Sequence, residues 1–186
     1  MAAKFPILQR FGSRRRWFAS RPGYTRSMGN NRNSHFMARA IELAIDNVRS
    51  GRGGPFGAVI VKNDTIIAEA ANSVTRTKDP TAHAEIVAIR DACRRLGQFE
   101  LRGCDLYASS EPCPMCLGAI YWARPARVYF GSTAADASKA GFDDSLIYRE
   151  IPQPFSERKI PMIQIMSEEA QEAFRAWERQ PNKIEY

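Results

Sequence analysis

A histidine and two cysteines of this chain have the residue types and spacing of metal ligands. His83 lies in "TAHAEIVAIR" (81–90), where an apolar helical pattern begins, and the chain has only two histidines. Cys113 and Cys116, in "EPCPMC", are three residues apart at the start of another predicted helix. A helix N-terminus favours the thiolate form, and this spacing lets both thiolates bind one ion. The three residues together predict a metal site with three protein ligands.

Three ligands rather than four leave one position of the metal open to water. A structural zinc ion usually has four Cys or His ligands, whereas a catalytic ion keeps a position for water. The other candidates are remote: His35 lies at the far end of the first predicted helix, and Cys93 and Cys104 fall in apolar patterns typical of reduced packing residues. Glu85 remains free to move protons. Because zinc lowers the pKa of bound water toward ~7, the group predicts a hydrolytic centre.

Each half of this pattern also has a simpler interpretation. His-x-Glu occurs by chance, and Thr81 with an acidic residue in the next turn could serve only to cap the helix. Cys-x-x-Cys also occurs in redox sites and in closed structural zinc sites. A closed zinc site needs a fourth ligand, for which the sequence offers no candidate. H-A-E followed by P-C-P-M-C is the pattern of zinc-dependent nucleobase deaminases, so a non-enzymatic structural zinc-binding module is the weaker hypothesis.

The surrounding patterns predict the elements that must hold these side chains. "GAVIVK" and "TIIAEAA" flank Asn63 and Asp64 as a β-hairpin, and the His83 helix ends at Gly97. The other predicted elements are a helix over 35–49, a strand "CDLYAS", a short helix from Pro114, a strand "ARVYFG", a helical region over 133–148, a strand "MIQIM" and a helix over 168–179. Two antiparallel strands followed by alternating helices and strands predict an α/β sandwich with a mixed sheet.

The positive charge of the chain is concentrated at its N-terminus. The formal net charge is +7, but residues 1–34 hold eight Lys or Arg and no Asp or Glu, which leaves 19 basic and 20 acidic residues in 35–186. The N-terminal segment lacks helical or strand periodicity and is predicted to be a disordered tail in front of one zinc-dependent deaminase domain, 35–186. An RNA-binding arm, a targeting peptide, or an inert extension upstream of a start at Met28 are its possible roles.

Neither a membrane span nor a secretory signal is found in the sequence. No apolar run approaches the roughly 20 residues that span a bilayer, and the N-terminus lacks a continuous hydrophobic segment before a cleavage site. We therefore expect no membrane partner and a cytoplasmic protein whose four cysteines are reduced.

Five segments of 35–186 resemble the cytidine-deaminase-like superfamily, and within it the guanine deaminases of the Bacillus type. The segments are "GGPFGAVIVK", "DPTAHAEIVAIR", "EPCPMCLGAIYWARP", "AGFDDS" and "NKIEY". The resemblance implies a three-layer α/β/α sandwich with a mixed five-stranded sheet, one zinc ion per chain, and a homodimer with exchanged C-terminal segments. It also implies hydrolytic deamination of guanine to xanthine and ammonia by a zinc-bound hydroxide, in purine catabolism or salvage.

The resemblance implies roles for individual residues. His83, Cys113 and Cys116 resemble the zinc ligands, and Glu85 resembles the proton shuttle. The residues that resemble substrate-binding positions are Asn72, Asp144, Phe56, Trp122 and Tyr186.

Each substrate-binding residue has an expected contact with the purine. The Asn72 amide would hold the base, since an amide can both donate and accept, although Asn is also a common turn residue. One of the two aspartates in "GFDDS", Asp144 by position, would face the exocyclic amine. Phe56 and Trp122 resemble a ring-stacking wall or are plain core residues, and Tyr186 resembles a lid.

The substrate class is narrowed by charge. Proteins with the same metal motif include cytosine and cytidine deaminases and tRNA adenosine deaminases. A tRNA-editing enzyme needs basic residues on its folded domain because phosphate contacts supply much of the affinity. The near-neutral domain therefore favours a small purine and no nucleic acid. Guanosine or another nucleobase or nucleoside remains an alternative, since guanosine deaminases of the plant type share "GGPFGAVIV" and "GFDD".

Overall fold

A computed structural model describes residues 29–186, so most of the predicted N-terminal tail lies outside the described residues. The first helix, α1 (Gly29–Arg49), begins before its predicted start at residue 35. The polar residues at its beginning show no apolar periodicity, but the Tyr107 hydroxyl donates to Asn33 Oδ1 at 2.8 Å and joins this turn to the sheet. None of the described helices combines the length and apolar character that crossing a bilayer requires.

The remaining elements follow the predicted order, with a few additions. In chain order they are β1 (Gly57–Lys62), β2 (Thr65–Ala71), α2 (Val74–Thr77), α3 (Ala84–Leu96), β3 (Cys104–Ser110), α4 (Pro114–Ala123), β4 (Arg127–Ser132), α5 (Ala134–Lys139), α6 (Ser145–Glu150), a 3-10 turn (Phe155–Glu157) and α7 (Ser167–Glu178). The short helix α2 was not predicted. The predicted helical region over 133–148 is divided into α5 and α6 by a turn at Gly141, whose φ is +93°.

The four strands of the described residues form one mixed sheet in the order β2-β1-β3-β4. β1 is antiparallel to both β2 and β3, and β3 is parallel to β4. The predicted hairpin is confirmed, with Asn63 and Asp64 at φ of 49° and 59°. Both values lie in the left-handed region that a tight hairpin turn requires, and Asn and Asp tolerate it better than most residues.

Helices cover both faces of the sheet, which confirms the three-layer α/β/α sandwich. Along β1, Ile60 faces α3 and α4 whereas Val59 faces α1, because successive side chains of a strand point to opposite faces. Both side chains are fully buried. Gly57 permits the close approach of α1, since a Cβ atom there would lie 2.2 Å from the Ala40 carbonyl oxygen.

The predicted fifth strand, "MIQIM" (162–166), is absent from the described residues, so the expectation of a five-stranded sheet is wrong for this single chain. Its apolar side chains do not pack on the chain, with Ile163 82% and Ile165 76% exposed. A strand forms only where a neighbour satisfies its backbone N–H and C=O groups. β4, at the edge of the sheet, pairs only with β3. Residues 145–186 contain no buried side chain.

Candidate active site

The starts of two helices meet on one face of the sheet. His83 is the N-cap residue of α3 and Cys113 is the N-cap residue of α4, with Pro114 in the first turn of α4. Neither side chain caps its own helix. The alternative in which Thr81 caps α3 is not observed, because His83 rather than Thr81 is the N-cap residue. The Thr81 hydroxyl donates to Asp79 Oδ1 at 2.7 Å. The two N-cap side chains are therefore available to bind a ligand.

His83, Cys113 and Cys116 form a compact group of one nitrogen and two sulfur ligands. His83 Nδ1 lies 3.5 Å from the Sγ atoms of both cysteines, and the three ligand atoms are within 4.8 Å of one another. Tetrahedral zinc with ordinary Zn–N and Zn–S bonds holds such atoms about 3.6 Å apart. The group therefore fits a zinc ion in spacing and in ligand type.

The two thiols compete for one proton. The pKa of Cys113 is lowered to about 4, mainly by its hydrogen bond with Cys116 and also by its bond to His83, while burial opposes both. The pKa of Cys116 is raised, first by its hydrogen bond to Cys113 and then by burial. Cys113 is thus the more acidic of the two thiols. A divalent cation bound between them would displace the proton of Cys116 as well, because thiolates are the metal-binding form.

Glu85 is a buried carboxyl group beside the ligand cluster. It lies in the first turn of α3 and is only 7% exposed. Burial raises the pKa of Glu85, and the charge of Cys113 also raises it. A carboxyl group whose pKa is raised toward the working pH can both take up and release a proton. Its position beside the metal ligands allows it to serve a reaction at the metal.

A cavity of about 560 Å³ opens onto this cluster. Its volume lies in the ~300–1,000 Å³ range of small-molecule sites. The lining residues are Gly54, Phe56, Asn72, Val74, Thr75, His83, Glu85, Glu111, Cys113, Ala134, Ala137, Gly141, Phe142, Asp143, Asp144 and Ile147. The structure thus brings Phe56, Asn72 and Asp144 to the same cavity as Glu85 and the metal ligands.

Asn72 is held by its backbone and presents its side chain to the cavity. Its N–H donates to the Phe56 carbonyl at 2.9 Å, and its carbonyl accepts from Asn47 Nδ2 at 2.8 Å. Its side-chain Oδ1 accepts from the Val74 N–H at 3.3 Å. Within residues 29–186, no hydrogen-bond acceptor is found for Asn72 Nδ2. This buried amide can therefore donate to a bound molecule.

The two neighbouring aspartates of the cavity differ in their environment. Asp143 accepts hydrogen bonds from the Ser145 N–H at 2.9 Å and the Ser145 hydroxyl at 3.1 Å. Asp144 is half-buried, and burial raises its pKa, followed by the negative charge of Cys113. Asp143 is therefore engaged in the turn before α6, whereas Asp144 is the carboxylate available to a ligand.

Phe142 and Glu111 are among the lining residues that were not identified from the sequence. The Phe142 ring meets the Phe56 ring edge to face, with centroids 4.9 Å apart, so the two rings border one side of the cavity. Glu111 Oε2 accepts a hydrogen bond from the Ala134 N–H at 2.9 Å. Both residues stand beside recognised site residues in "AGFDDS" and "EPCPMC", and that proximity was the available signal.

Trp122 and Tyr186 do not line this cavity in the single chain. Their ring centroids are 6.1 Å apart, and Tyr186 also approaches Phe99 at 6.3 Å. All three line a separate hollow beside α3 and α4. Trp122 is 64% exposed and Tyr186 is 71% exposed. The two predicted substrate-binding aromatics therefore lie together, but apart from the cavity of their own chain.

Comparison with known proteins shows that the three candidate metal ligands lie within a recognised zinc-binding region. Residues 30–132 match the cytidine and deoxycytidylate deaminase zinc-binding region. The chain is 56% identical over 151 residues to a guanine deaminase of Bacillus subtilis (strain 168), covering 81% of this chain and 97% of the relative. It is also 42% identical over 118 residues to a tRNA-specific adenosine deaminase of Aquifex aeolicus (strain VF5), covering 63% of this chain and 76% of that relative.

Comparison of structures finds a guanine deaminase of Bacillus subtilis, as comparison of sequences does. The X-ray structure of guanine deaminase from Bacillus subtilis matches with a TM-score of 0.80 and 56% identity, covering 82% of this chain and 98% of that chain. The matched zinc-binding region includes His83, Cys113 and Cys116, whose ligand atoms lie close enough to share one ion. The chain therefore belongs to the cytidine and deoxycytidylate deaminase family of zinc-dependent enzymes.

Proposed function

We propose that this enzyme converts guanine and water to xanthine and ammonia. The observation that carries the proposal is the cavity itself, which places a His/Cys/Cys cluster and buried Glu85 beside the free Nδ2 group of Asn72 and the carboxylate of Asp144. A purine that carries an amino group could contact all of these groups at the same time. Similarity to the guanine deaminase of Bacillus subtilis over 97% of its length supports the same substrate.

His83, Cys113 and Cys116 would hold one zinc ion per chain. When bound there, zinc would lower the pKa of a water molecule, so that this water can lose a proton and act as a nucleophile at neutral pH. The remaining steps depend on the protein's own side chains, which bind the base, orient it and move protons.

Asn72 and Asp144 would orient the base. Guanine has hydrogen-bond donors at N1 and at its 2-amino group, from which a carboxylate can accept. It also has hydrogen-bond acceptors, to which the Asn72 amide can donate. Phe56 and Phe142, with ring centroids 4.9 Å apart, would confine the planar ring system. This arrangement holds C2 of guanine near the metal ligands and Glu85.

Glu85 would move the protons that the reaction requires. It takes a proton from the attacking water and delivers it to N3 of guanine, and it then takes the remaining proton of that water from the new C2 hydroxyl group and delivers it to the departing amine. The water oxygen forms a bond to C2, the bond from C2 to the amino nitrogen breaks, and ammonia leaves. Glu85 is ionised again at the end of the turnover, so it acts as a shuttle.

We further propose that the enzyme is a homodimer with exchanged C-terminal segments. Residues 145–186 expose large apolar side chains, among them Ile160 at 79% and Ile163 at 82%. A monomer rarely exposes so much apolar surface. The free edge of β4 borders a groove lined by Ile41, Ile45 and Val48 of α1, where residues 160–166 of a second chain would complete the sheet.

Exchange would also account for the position of Trp122 and Tyr186. These rings lie together outside the cavity of their own chain, and in a dimer they would close the cavity of the partner. Light scattering of the purified protein tests the oligomeric state. A dimer is expected, and a monomer with full activity would contradict the exchange.

An ammonia-release assay tests the substrate. Purified zinc-loaded protein is incubated with guanine, guanosine, cytosine, adenine and tRNA, with Glu85→Gln as the matched inactive control. Release from guanine alone is expected. Release from guanosine or tRNA would assign those substrates instead, and zinc binding without ammonia from any of them would indicate a structural module. Protein that starts at Met28 should match the full chain if the basic tail is dispensable for catalysis.

A further inference from the structure

We infer that Glu111 is a positioning residue that fixes the substrate-binding wall of the cavity relative to the metal ligands. The inference rests on the proposed function for its substrate. Its structural part concerns the backbone of residues 133–144, which can be measured without any substrate.

Glu111 lies between the sheet and the metal-binding loop. Its N–H donates to the Ser132 carbonyl at 2.8 Å, continuing the pairing of β3 with β4 beyond Ser110. Cys113 follows two residues later and begins α4. The backbone of Glu111 is therefore fixed by the same strand that places the metal ligands.

The side chain of Glu111 reaches the first residue of α5. Its Oε2 accepts from the Ala134 N–H at 2.9 Å. Two other N–H groups at the start of α5 are satisfied locally, since Asp136 Oδ2 accepts from the Thr133 N–H at 3.0 Å and Thr133 Oγ1 accepts from the Asp136 N–H at 3.3 Å. Glu111 thus supplies, from a distant part of the sequence, an acceptor that this capping box does not provide for the Ala134 N–H.

This bond is the link between two sides of the cavity. Within the described part of the chain, the other hydrogen bonds of residues 133–144 stay inside 133–148. The segment is largely exposed, and it carries Phe142 and Asp144 into the cavity. The ring contact of Phe142 with Phe56 limits movement of the wall but does not fix its distance from Cys113. The Glu111 carboxylate does so, because it joins the start of α5 to the loop of Cys113.

Loss of this acceptor should therefore loosen the wall and weaken substrate binding more than it slows the chemistry at the metal. Glu111→Ala removes the acceptor. Glu111→Gln keeps a side-chain oxygen in the same place without the charge, so it should restore most of the lost affinity. Asp136→Ala is the matched control, because it disturbs the N-terminus of the same helix but leaves the link to the Cys113 loop intact.

Two measurements on the zinc-loaded full-length protein test the inference. In hydrogen exchange, E111A should speed exchange in residues 133–144 by about tenfold, the effect of one lost hydrogen bond, while E111Q should do so much less. In steady-state kinetics, E111A should raise the KM for guanine at least about fivefold with kcat within about twofold. Zinc content should remain unchanged in all three variants.

The outcomes separate this inference from the proposed function. Absence of ammonia release by the wild-type protein would reject guanine as the substrate, and hydrogen exchange would still decide the role of Glu111. Unchanged exchange in E111A would overturn the inference. An equal rise in KM for E111A and D136A would also overturn it, since helix stability alone would then explain the effect. A loss of guanine affinity in E111Q equal to that in E111A would likewise overturn it, because an oxygen atom in the same position would then have no effect.

Discussion

Asn47 Nδ2 on α1 donates to the backbone carbonyl of Asn72 at 2.8 Å, across the end of the sheet. The same amide donates to the Gly54 carbonyl at 2.9 Å. One buried side chain therefore holds two segments that both line the cavity, the turn before β1 and the end of β2. This relationship makes α1 part of the support of the active site, although none of its residues lines the cavity.

Asn47→Ala should lower the free energy of unfolding by about 1–3 kcal/mol, because two carbonyl groups lose their donor inside the protein. Urea unfolding monitored by circular dichroism measures the change. Asp46→Ala, at an exposed neighbouring position on α1, is the control and should change stability by less than about 0.5 kcal/mol. Equal stability of N47A and D46A would show that water replaces the lost amide without cost.

Glu85→Gln should retain zinc and lose turnover. Glutamine has nearly the shape of glutamate but cannot accept and release the catalytic proton, so kcat should fall by at least about 100-fold. Metal analysis and the ammonia assay, run on the same preparation, separate the two effects. If zinc were lost together with activity, Glu85 would be a ligand rather than a proton shuttle.

Cys116→Ala should remove the metal and destabilise the fold. Cys116 is fully buried, and a metal that binds only the folded state adds about 2.7 kcal/mol when its free concentration is 100-fold above its Kd. The variant should bind no stoichiometric zinc and should unfold at a lower temperature. Cys93→Ala, a half-buried cysteine outside the cluster, is the control. Stoichiometric zinc in purified C116A would exclude Cys116 from the ligand set.

Deletion of residues 182–186 should reduce kcat/KM for guanine at least about tenfold, which corresponds to ~1.4 kcal/mol of transition-state stabilisation. The lost Tyr186 ring would no longer close the cavity of the partner and exclude water from it. Zinc content and dimerisation should be largely unaffected. The kinetics should be measured alongside light scattering, and wild-type kinetics in the truncated enzyme would show that Tyr186 is no lid.

The ion pair of Arg39 with Glu69 should stabilise the fold in a pH-dependent way. Arg39 Nε and Nη2 donate to the carboxylate at 2.9 and 2.6 Å, and these bonds lower the pKa of Glu69 below its ordinary 4.5. The ion pair therefore contributes its full stabilisation above the ordinary pKa of 4.5. This stabilisation is lost as the pH falls through the lower pKa that Glu69 has in the folded protein. Since the Glu69 side chain is 37% exposed, Glu69→Gln should cost only about 0.5–1 kcal/mol at pH 7.

Urea unfolding of the wild-type protein and E69Q, compared at pH 7 and near pH 3, measures this effect. The difference between the two proteins should shrink at the lower pH, where the carboxylate of the folded protein also becomes protonated. Glu168→Gln, at an exposed position of α7, is the control. A difference that is the same at both pH values would contradict an electrostatic origin.

Local sequence patterns predicted those elements whose structure depends on residues that are close together in the chain. Asn63 and Asp64 identified the hairpin because few residues adopt a positive φ, and Gly97 identified the end of α3 for the same reason. The metal cluster was also predictable, because the motifs around His83 and Cys113 mark where two helices begin.

Other features depend on partners that the sequence does not identify. "MIQIM" is apolar enough to predict a strand, but a strand needs the edge of a neighbour, and within residues 29–186 of one chain this segment pairs with none. The roles of Asn47 and Glu111 arise from contacts with residues that are distant in the chain. Asn47 contacts Asn72, which is 25 positions away, and Glu111 contacts Ala134, which is 23 positions away. Neither residue type nor local spacing reveals such contacts. The aromatic pair of Trp122 and Tyr186 was identified by resemblance, but its place outside the cavity could be found only from the structure.

The separation of Tyr186 from the cavity that contains Glu85 has a genetic consequence. Under the proposed exchange, each active centre takes its Glu85 and its Tyr186 from different chains. Two defective alleles, one encoding E85Q and one lacking residues 182–186, should therefore complement each other when expressed together. In a mixed dimer, one centre carries both defects and the other carries neither. Co-expressed alleles should restore guanine breakdown to a cell that either allele alone leaves deficient, whereas lids acting within their own chains would give no such rescue.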